Sequence, residues 1–77
     1  MVDTLKEYLE HELLSVASAT DREDDLKYKS DICWYARQRA LGACDFAQML
    51  GVPYEMVMPL FNNHCKELER LEYNYAV

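Results

Sequence analysis

The sequence contains little glycine and little proline. Only two residues of each type occur among its 77 residues, so the turn residues that a protein of many short strands needs are missing. The chain is also too short for more than one domain. These shortages argue against most all-β architectures. We expect one domain over residues 1–77 that forms an all-α bundle of three to four helices.

The sequence also lacks paired cysteines and long apolar runs. Cys33, Cys44 and Cys65 are an odd number without regular spacing, and their apolar neighbours are typical of reduced residues in a core. No leader with a cleavage site is visible, and no apolar run is long enough to cross a bilayer. We therefore expect three free thiols and a cytoplasmic protein.

Positive charge is scarce. Eight Lys and Arg residues stand against 14 Asp and Glu residues, which gives a net charge of −6. Residues 1–25 carry a net −6, residues 26–50 a net +2 and residues 51–77 a net −2. An acidic chain is repelled by nucleic acids and membranes and is attracted to basic protein surfaces. The charge therefore predicts a protein partner with a basic surface and disfavours DNA and membranes as partners.

Apolar residues at steps of three and four predict a first helix over residues 2–19. The stripe consists of Val2, Leu5, Leu9, Leu13, Val16 and Ala17. The polar segment that follows, residues 20–25, offers several N-cap residues for a second helix. Gly42, which follows two arginines, is typical of a helix end. Glycine inside a helix costs only about 1 kcal/mol, so a second helix that continues to Leu50 stays open as an alternative.

The last helix is predicted to begin after Gly51, with Pro53 as its first residue. Its apolar positions repeat at alternating steps of three and four, as in a heptad seam. These positions are Tyr54, Val57, Phe61, His64, Leu68, Leu71 and Tyr75. Pro59 lies inside this helix and removes one backbone hydrogen bond, so we expect a kink there.

The end of the last helix is predicted to support a weak homodimer. If the kink turns this end away from the first helix, Leu68, Leu71 and Tyr75 project as an apolar strip. Two such strips can close over each other about a twofold axis.

A small alanine, a glycine and several apolar residues follow one another at fixed offsets within residues 43–60. Ala47 allows two helices to approach closely, and Gly51 suits a left-handed turn. The apolar residues that would hold the two helices together are Phe46, Leu50, Val52, Val57 and Leu60. This pattern resembles the helix-turn-helix family. The resemblance implies a helix-turn-helix-like pair within the bundle.

The resemblance also implies which side chains would face DNA. In the family, the second helix enters the major groove with side chains such as Arg, Asn or Gln. The matching outward positions here are Tyr54, Glu55, Met58, Pro59 and Asn62. Only Asn62 is a good base reader, and Glu55 would lie close to phosphates, so the pair has lost most of its DNA-reading chemistry. We expect Tyr54, Glu55 and Met58 to contact a protein partner instead.

Acidic residues form two groups near the start of the chain. Asp3, Glu7 and Glu10 share one face of the first helix. A loop cluster consists of Asp21, Glu23, Asp24 and Asp25. Carboxylates on one helix face lie about 5–6 Å apart, close to the spacing of backbone phosphates, so these groups could bind a partner as a mimic of DNA. The alternative is an ordinary solvated face with a helix cap.

No metal or catalytic motif is visible. His64 and Cys65 are neighbours, so on a helix they point about 100° apart and do not easily share a metal ion. His11 and Glu12 are likewise adjacent and not spaced as an i, i+4 pair. One of the other two cysteines could meet His64 across helices, but a histidine on a seam is more often a hydrogen-bonded core residue. We expect no cofactor and no enzymatic activity.

These observations favour a domain that acts by binding another protein. Small acidic helical proteins of this kind resemble the accessory proteins of phages and mobile elements, among them inhibitors of host defence enzymes. The leading interpretation is a non-enzymatic module that inhibits a basic, nucleic-acid-handling protein. The alternative is a dimeric helix-turn-helix transcriptional regulator that uses the basic stretch over residues 27–39 to bind phosphates. An acidic scaffold dimer is a third interpretation.

Overall fold

Three helices form the protein in the computed structural model, which describes residues 1–22 and 25–73. The helices are α1 (Val2–Asp21), α2 (Leu26–Met49) and α3 (Tyr54–Glu72). Each helix packs against both others, and no strand occurs within these described ranges. The expected all-α bundle of three to four helices is therefore confirmed, with three helices.

α1 follows its apolar stripe. Leu5, Leu9 and Val16 are buried, because residues at steps of three and four lie on one side of a helix. The helix continues two residues beyond the predicted end, to Asp21. In its last turn the Thr20 hydroxyl donates a hydrogen bond to the Val16 carbonyl over 2.9 Å.

α2 begins at an Asx cap and is one continuous helix. The Asp25 carboxylate accepts a hydrogen bond from the Lys27 backbone N–H over 2.9 Å, which satisfies one of the unpaired donors of the first turn. The helix passes through Gly42 to Met49, so the alternative that it ends at Gly42 is wrong. The fully buried residues of α2 are all small: Cys33, Ala36, Ala40, Cys44 and Ala47. Ile32 packs half-buried against the core.

A tight turn built on Gly51 joins α2 to α3. Gly51 has φ of +103°, in the region that favours glycine. Its N–H donates to the Gln48 carbonyl, and the Val52 N–H donates to the Ala47 carbonyl, both over 3.0 Å. These two bonds form a Schellman motif. Pro53 is the N-cap of α3 rather than its first helical residue as predicted, since its carbonyl accepts the first hydrogen bonds of that helix.

α3 continues through Pro59 to Glu72 and completes a core in two apolar parts. The first part lies near the α2–α3 turn and consists of Leu5, Leu9, Ala40, Cys44, Ala47, Val52 and Val57. The second part lies at the other end of the bundle and consists of Val16, Cys33, Ala36 and Leu68. Each helix has a polar residue between its contributions to these two parts of the core: Glu12 in α1, Arg39 in α2 and His64 in α3.

Candidate functional site

A polar layer crosses the middle of the bundle. Its centre is the Glu12 carboxylate, whose side chain is 6% exposed. The carboxylate accepts hydrogen bonds from Tyr8 Oη over 3.1 Å and from Arg39 Nε over 3.2 Å, both at Oε2. His64 Nε2 lies 3.2 Å from Oε1. A buried carboxylate is stable only when its oxygens are paired in this way, and here all three helices contribute to it.

His64 is a core residue, as its place on the seam predicts. The residue is 2% exposed, and its Nε2 contact with Glu12 joins α3 to α1. Because a carboxylate accepts hydrogen bonds and does not donate them, Nε2 carries the hydrogen of this contact. The second ring nitrogen, Nδ1, is buried and has no hydrogen-bond partner among residues 1–22 and 25–73.

Sequence analysis missed the role of Glu12. One signal could have found it, because Glu12 stands three residues after Leu9 and four before Val16, in register with the buried stripe of α1. A carboxylate in that register must be buried with a partner or exposed by a break in the helix. His64, in the matching register of α3, was the available partner.

The polar layer also changes the acidity of a tyrosine. Partial burial, followed by the charge of Glu12 and its hydrogen bond, raises the pKa of the Tyr8 hydroxyl above its usual value, against a smaller opposing effect of Arg39. Burial, the Glu12 charge and the hydrogen bond all disfavour the phenolate form, whereas the positive charge of Arg39 favours it. Tyr8 therefore acts as a hydrogen-bond donor to Glu12.

The acidic residues predicted on the outer face of α1 are exposed. Asp3, Glu7 and Glu10 are all open to solvent, and none makes an ion pair within the described part of the chain. Leu14, four residues after Glu10 on the same face, is 70% exposed. The outer face of α1 therefore combines unpaired carboxylates with one large apolar side chain.

The predicted loop cluster is less uniform. Asp21 is the last residue of α1 and is exposed, whereas Asp25 caps α2. Glu23 and Asp24 lie outside the described residues. The cap assigns a structural role to Asp25, which sequence analysis had grouped with the candidate binding residues.

The turn between α2 and α3 matches only part of the predicted helix-turn-helix packing. Ala47, Val52 and Val57 are buried as expected. Phe46 and Leu50 are 60% and 52% exposed, so the prediction that they hold the two helices together is wrong. Phe46 lies about 100° around the helix axis from its buried neighbour Ala47, so the two side chains cannot face the same side of the helix.

The residues predicted to face outward from the start of α3 do so with one exception. Tyr54, Glu55, Pro59 and Asn62 are exposed, and Met58 is half-buried. A single carboxylate and no cation stand among them. This surface therefore repels phosphates more than it attracts them.

The predicted apolar strip at the end of α3 does not form as expected. Leu68 is 0% exposed and packs in the second part of the core with Val16 and Cys33, while Leu71 packs half-buried against the same cluster. The prediction that Leu68 projects toward a second copy is wrong, because α1 and α2 cover it. Tyr75 lies outside the described residues.

α2 instead exposes a group of large apolar side chains. Several are more than half exposed, and Met49 reaches 82%. The exposed apolar residues of α2 are Leu26, Tyr28, Trp34, Tyr35, Leu41, Phe46 and Met49. Tyr35 packs edge-to-face against Trp34 with a centroid distance of 5.1 Å. Sequence analysis had not predicted this face.

The three cysteines are free, as predicted. Cys33 and Cys44 are buried, and burial is the main cause that raises the pKa of each thiol. In residues 1–22 and 25–73 no group of three His, Cys, Asp or Glu side chains is placed to hold a metal ion. Nor does any helix of this described part have the length and apolar character needed to cross a membrane.

No protein-family model, no curated protein and no solved structure matches this chain.

Proposed function

We propose that this protein is a non-enzymatic module that binds a protein with a basic surface. The observation that carries the proposal is the outer face of α1, where Asp3, Glu7 and Glu10 are exposed without ion pairs. Such unpaired charges raise the rate at which an oppositely charged protein associates. Leu14 on the same face adds an apolar side chain for short-range contact.

The spacing of these carboxylates supports a narrower proposal about the partner. Side chains three and four residues apart on a helix lie about 5–6 Å from each other, so the three carboxylates form a row of negative charge comparable to a phosphate backbone. A nucleic-acid-handling protein, with its basic channel, is the class of partner that such a row fits. Occupation of that channel would inhibit the partner.

The polar layer supports a structural role rather than catalysis. The Glu12 side chain is 6% exposed, and its oxygens already contact Tyr8, Arg39 and His64. A general base needs an open path to the proton that it removes, whereas this carboxylate is occupied on both oxygens. The layer ties the three helices together at the level where the apolar core is interrupted.

The alternative is a DNA-binding regulator, and the Schellman turn at Gly51 is the observation that favours it. A tight turn between two helices is the frame of a helix-turn-helix unit. The exposed Glu55 at the start of α3 weighs against this alternative. A nanomolar, sequence-specific complex with genomic DNA at physiological salt would establish it in place of the protein-binding module.

The test is affinity capture with charge variants. The wild-type chain, the variant Glu7→Gln/Glu10→Gln and the control Asp31→Asn/Glu69→Gln are immobilised and exposed to host lysate at several salt concentrations. Both variants lose two exposed negative charges, but only the first loses them from the α1 row.

We expect the wild type and the control to capture the same basic protein, and duplex DNA to compete for it. At about 0.5–1 kcal/mol per exposed charge, the α1 variant should bind roughly 5- to 30-fold more weakly. Capture that is equal for both variants, or no capture of a basic protein, would contradict the proposal.

A further inference from the structure

The side chains of α2 are distributed in an unusual way. Its fully buried residues are all alanine or cysteine, with Ile32 half-buried beside them, while the outer side carries exposed tyrosine, phenylalanine and methionine. A soluble helix normally turns its large apolar residues toward the core. The outer side of α2 therefore has the composition of a buried surface, although no other described element covers it.

These outer residues follow a heptad pattern. Tyr28, Tyr35, Gly42 and Met49 recur every seven residues, with Arg39 before Gly42 and Phe46 after it at steps of three and four. Ile32, at the matching position after Tyr28, packs partly against the core instead. Such a seam is the pattern by which one helix packs along another of the same kind. It extends over almost the whole of α2, from residue 28 to residue 49.

Gly42 at the centre of this seam indicates close approach from outside. After proline, glycine is the least favourable residue in a helix interior, and nothing within the bundle requires it, since a Cβ built there would meet no atom within 4 Å. The absent side chain thus leaves room on the solvent side, where a second helix could cross.

We propose that α2 is the interface of a homodimer, in which two copies pack their outer α2 faces antiparallel and cross near Gly42.

The exposed apolar area on the outer face of α2 is large enough for an interface with a second copy. Tyr28, Tyr35, Phe46 and Met49 are 56%, 59%, 60% and 82% exposed, which at typical side-chain areas amounts to about 500 Å² per copy. The pair then buries about 1,000 Å², the area at which specific interfaces begin. Trp34 holds Tyr35 in an edge-to-face contact, which lowers the cost of ordering that side chain.

This inference is independent of the proposed function, because the acidic row of α1 lies on another helix. The salt dependence of binding distinguishes the homodimer from the complex with a basic protein. Binding of a basic protein to α1 weakens as salt rises, whereas pairing of two chains that each carry a net charge of −6 strengthens as their repulsion is screened.

The test is sedimentation of the chain alone from 1 to 300 µM, at low and high salt. We expect a monomer of 9.1 kDa to convert to a species of twice that mass, at lower concentration in high salt. Tyr35→Ser/Met49→Ser should raise the dissociation constant at least tenfold. The control Leu14→Ser/Met56→Ser, which replaces exposed apolar residues of α1 and α3, should leave it unchanged.

Gly42→Leu gives a second criterion that is insensitive to misfolding. It should raise the thermal stability of the monomer, since leucine is a better helix former, and yet weaken the dimer at least tenfold. A monomer at 300 µM, an assembly larger than two, or a dimer unaffected by both the double variant and Gly42→Leu would overturn the proposal.

Discussion

Removal of the Glu12 carboxylate should destabilise the protein more than any other single change in its polar layer. In Glu12→Ala, His64 loses the hydrogen-bond partner of its Nε2. Its Nδ1 already lacks a hydrogen-bond partner among the described residues, so the whole ring would be unpaired there. Tyr8 also loses its acceptor. Leaving a buried donor without its acceptor costs about 1–3 kcal/mol for each group. A domain of 77 residues has roughly 4–12 kcal/mol in total, so much of its stability would be lost. Glu12→Gln, which keeps one acceptor oxygen, should cost about 1–2 kcal/mol.

A double-mutant cycle tests whether the cost arises from the pair. Urea unfolding followed by circular dichroism, at low micromolar concentration, gives the free energy of unfolding for Glu12→Leu, His64→Leu and the double variant. We expect Glu12→Leu alone to cost about 3 kcal/mol, and the double variant to cost at least 1.5 kcal/mol less than the sum of the singles, because it leaves neither group unpaired. A loss below 1 kcal/mol in Glu12→Ala, or additivity within about 0.5 kcal/mol, would refute this reasoning.

Three further predictions concern the turn, a tyrosine and the thiols. Gly51→Ala should lower the free energy of unfolding by about 1–2 kcal/mol, because alanine disfavours the positive φ. Gly42→Ala, in the open helix interior, should raise the free energy of unfolding by up to about 1 kcal/mol. If urea unfolding showed that both variants change the stability in the same direction, the assigned backbone roles would be wrong. The pKa of Tyr8 is raised in the folded state above 10.0, so its contribution to stability is present below pH 10 and is lost as the pH rises through the folded pKa. Tyr8→Phe should therefore flatten the fall in melting temperature above pH 10, and the control Tyr28→Phe should not. With a thiol reagent at pH 8, half-buried Cys65 should react first. Burial raises the pKa values of Cys33 and Cys44, so these two thiols should react only as fast as the helices around them open locally. Equal reaction rates for all three thiols would be inconsistent with this difference in burial.

The parts of the fold that follow from spacing alone could be predicted from the sequence. Leu5, Leu9 and Val16 are buried because they lie on one helical stripe, and Gly51 adopts positive φ because few other residues do so at low cost. The boundary at Gly42 could not be predicted, since the sequence is compatible with a helix end and with a continuous helix. Only packing along the whole of α2 decides between them.

Two of the errors share a cause, which is that burial was inferred from apolarity. Phe46 is apolar but exposed, and Glu12 is charged but buried. In both cases the position around the helix axis decides, since Glu12 lies in register with Leu9 and Phe46 lies out of register with Ala47. Glu12 can be buried because Arg39 of α2 and His64 of α3 form hydrogen bonds with its carboxylate. No local sequence pattern shows that these two residues lie next to Glu12.

The distribution of small and large side chains on α2 affects both the stability of the domain and the character of its surface. Small residues on its core side let α1 and α3 approach closely but bury little apolar area, and the polar layer at Glu12 interrupts the core further. A domain of this size buries only about 60% of the surface of its unfolded chain. The large side chains that could have enlarged the core stand on the outer face of α2 instead. Since burial of that face must come from another molecule, association through α2 would contribute to stability as well as to binding, and the two effects should rise together with protein concentration.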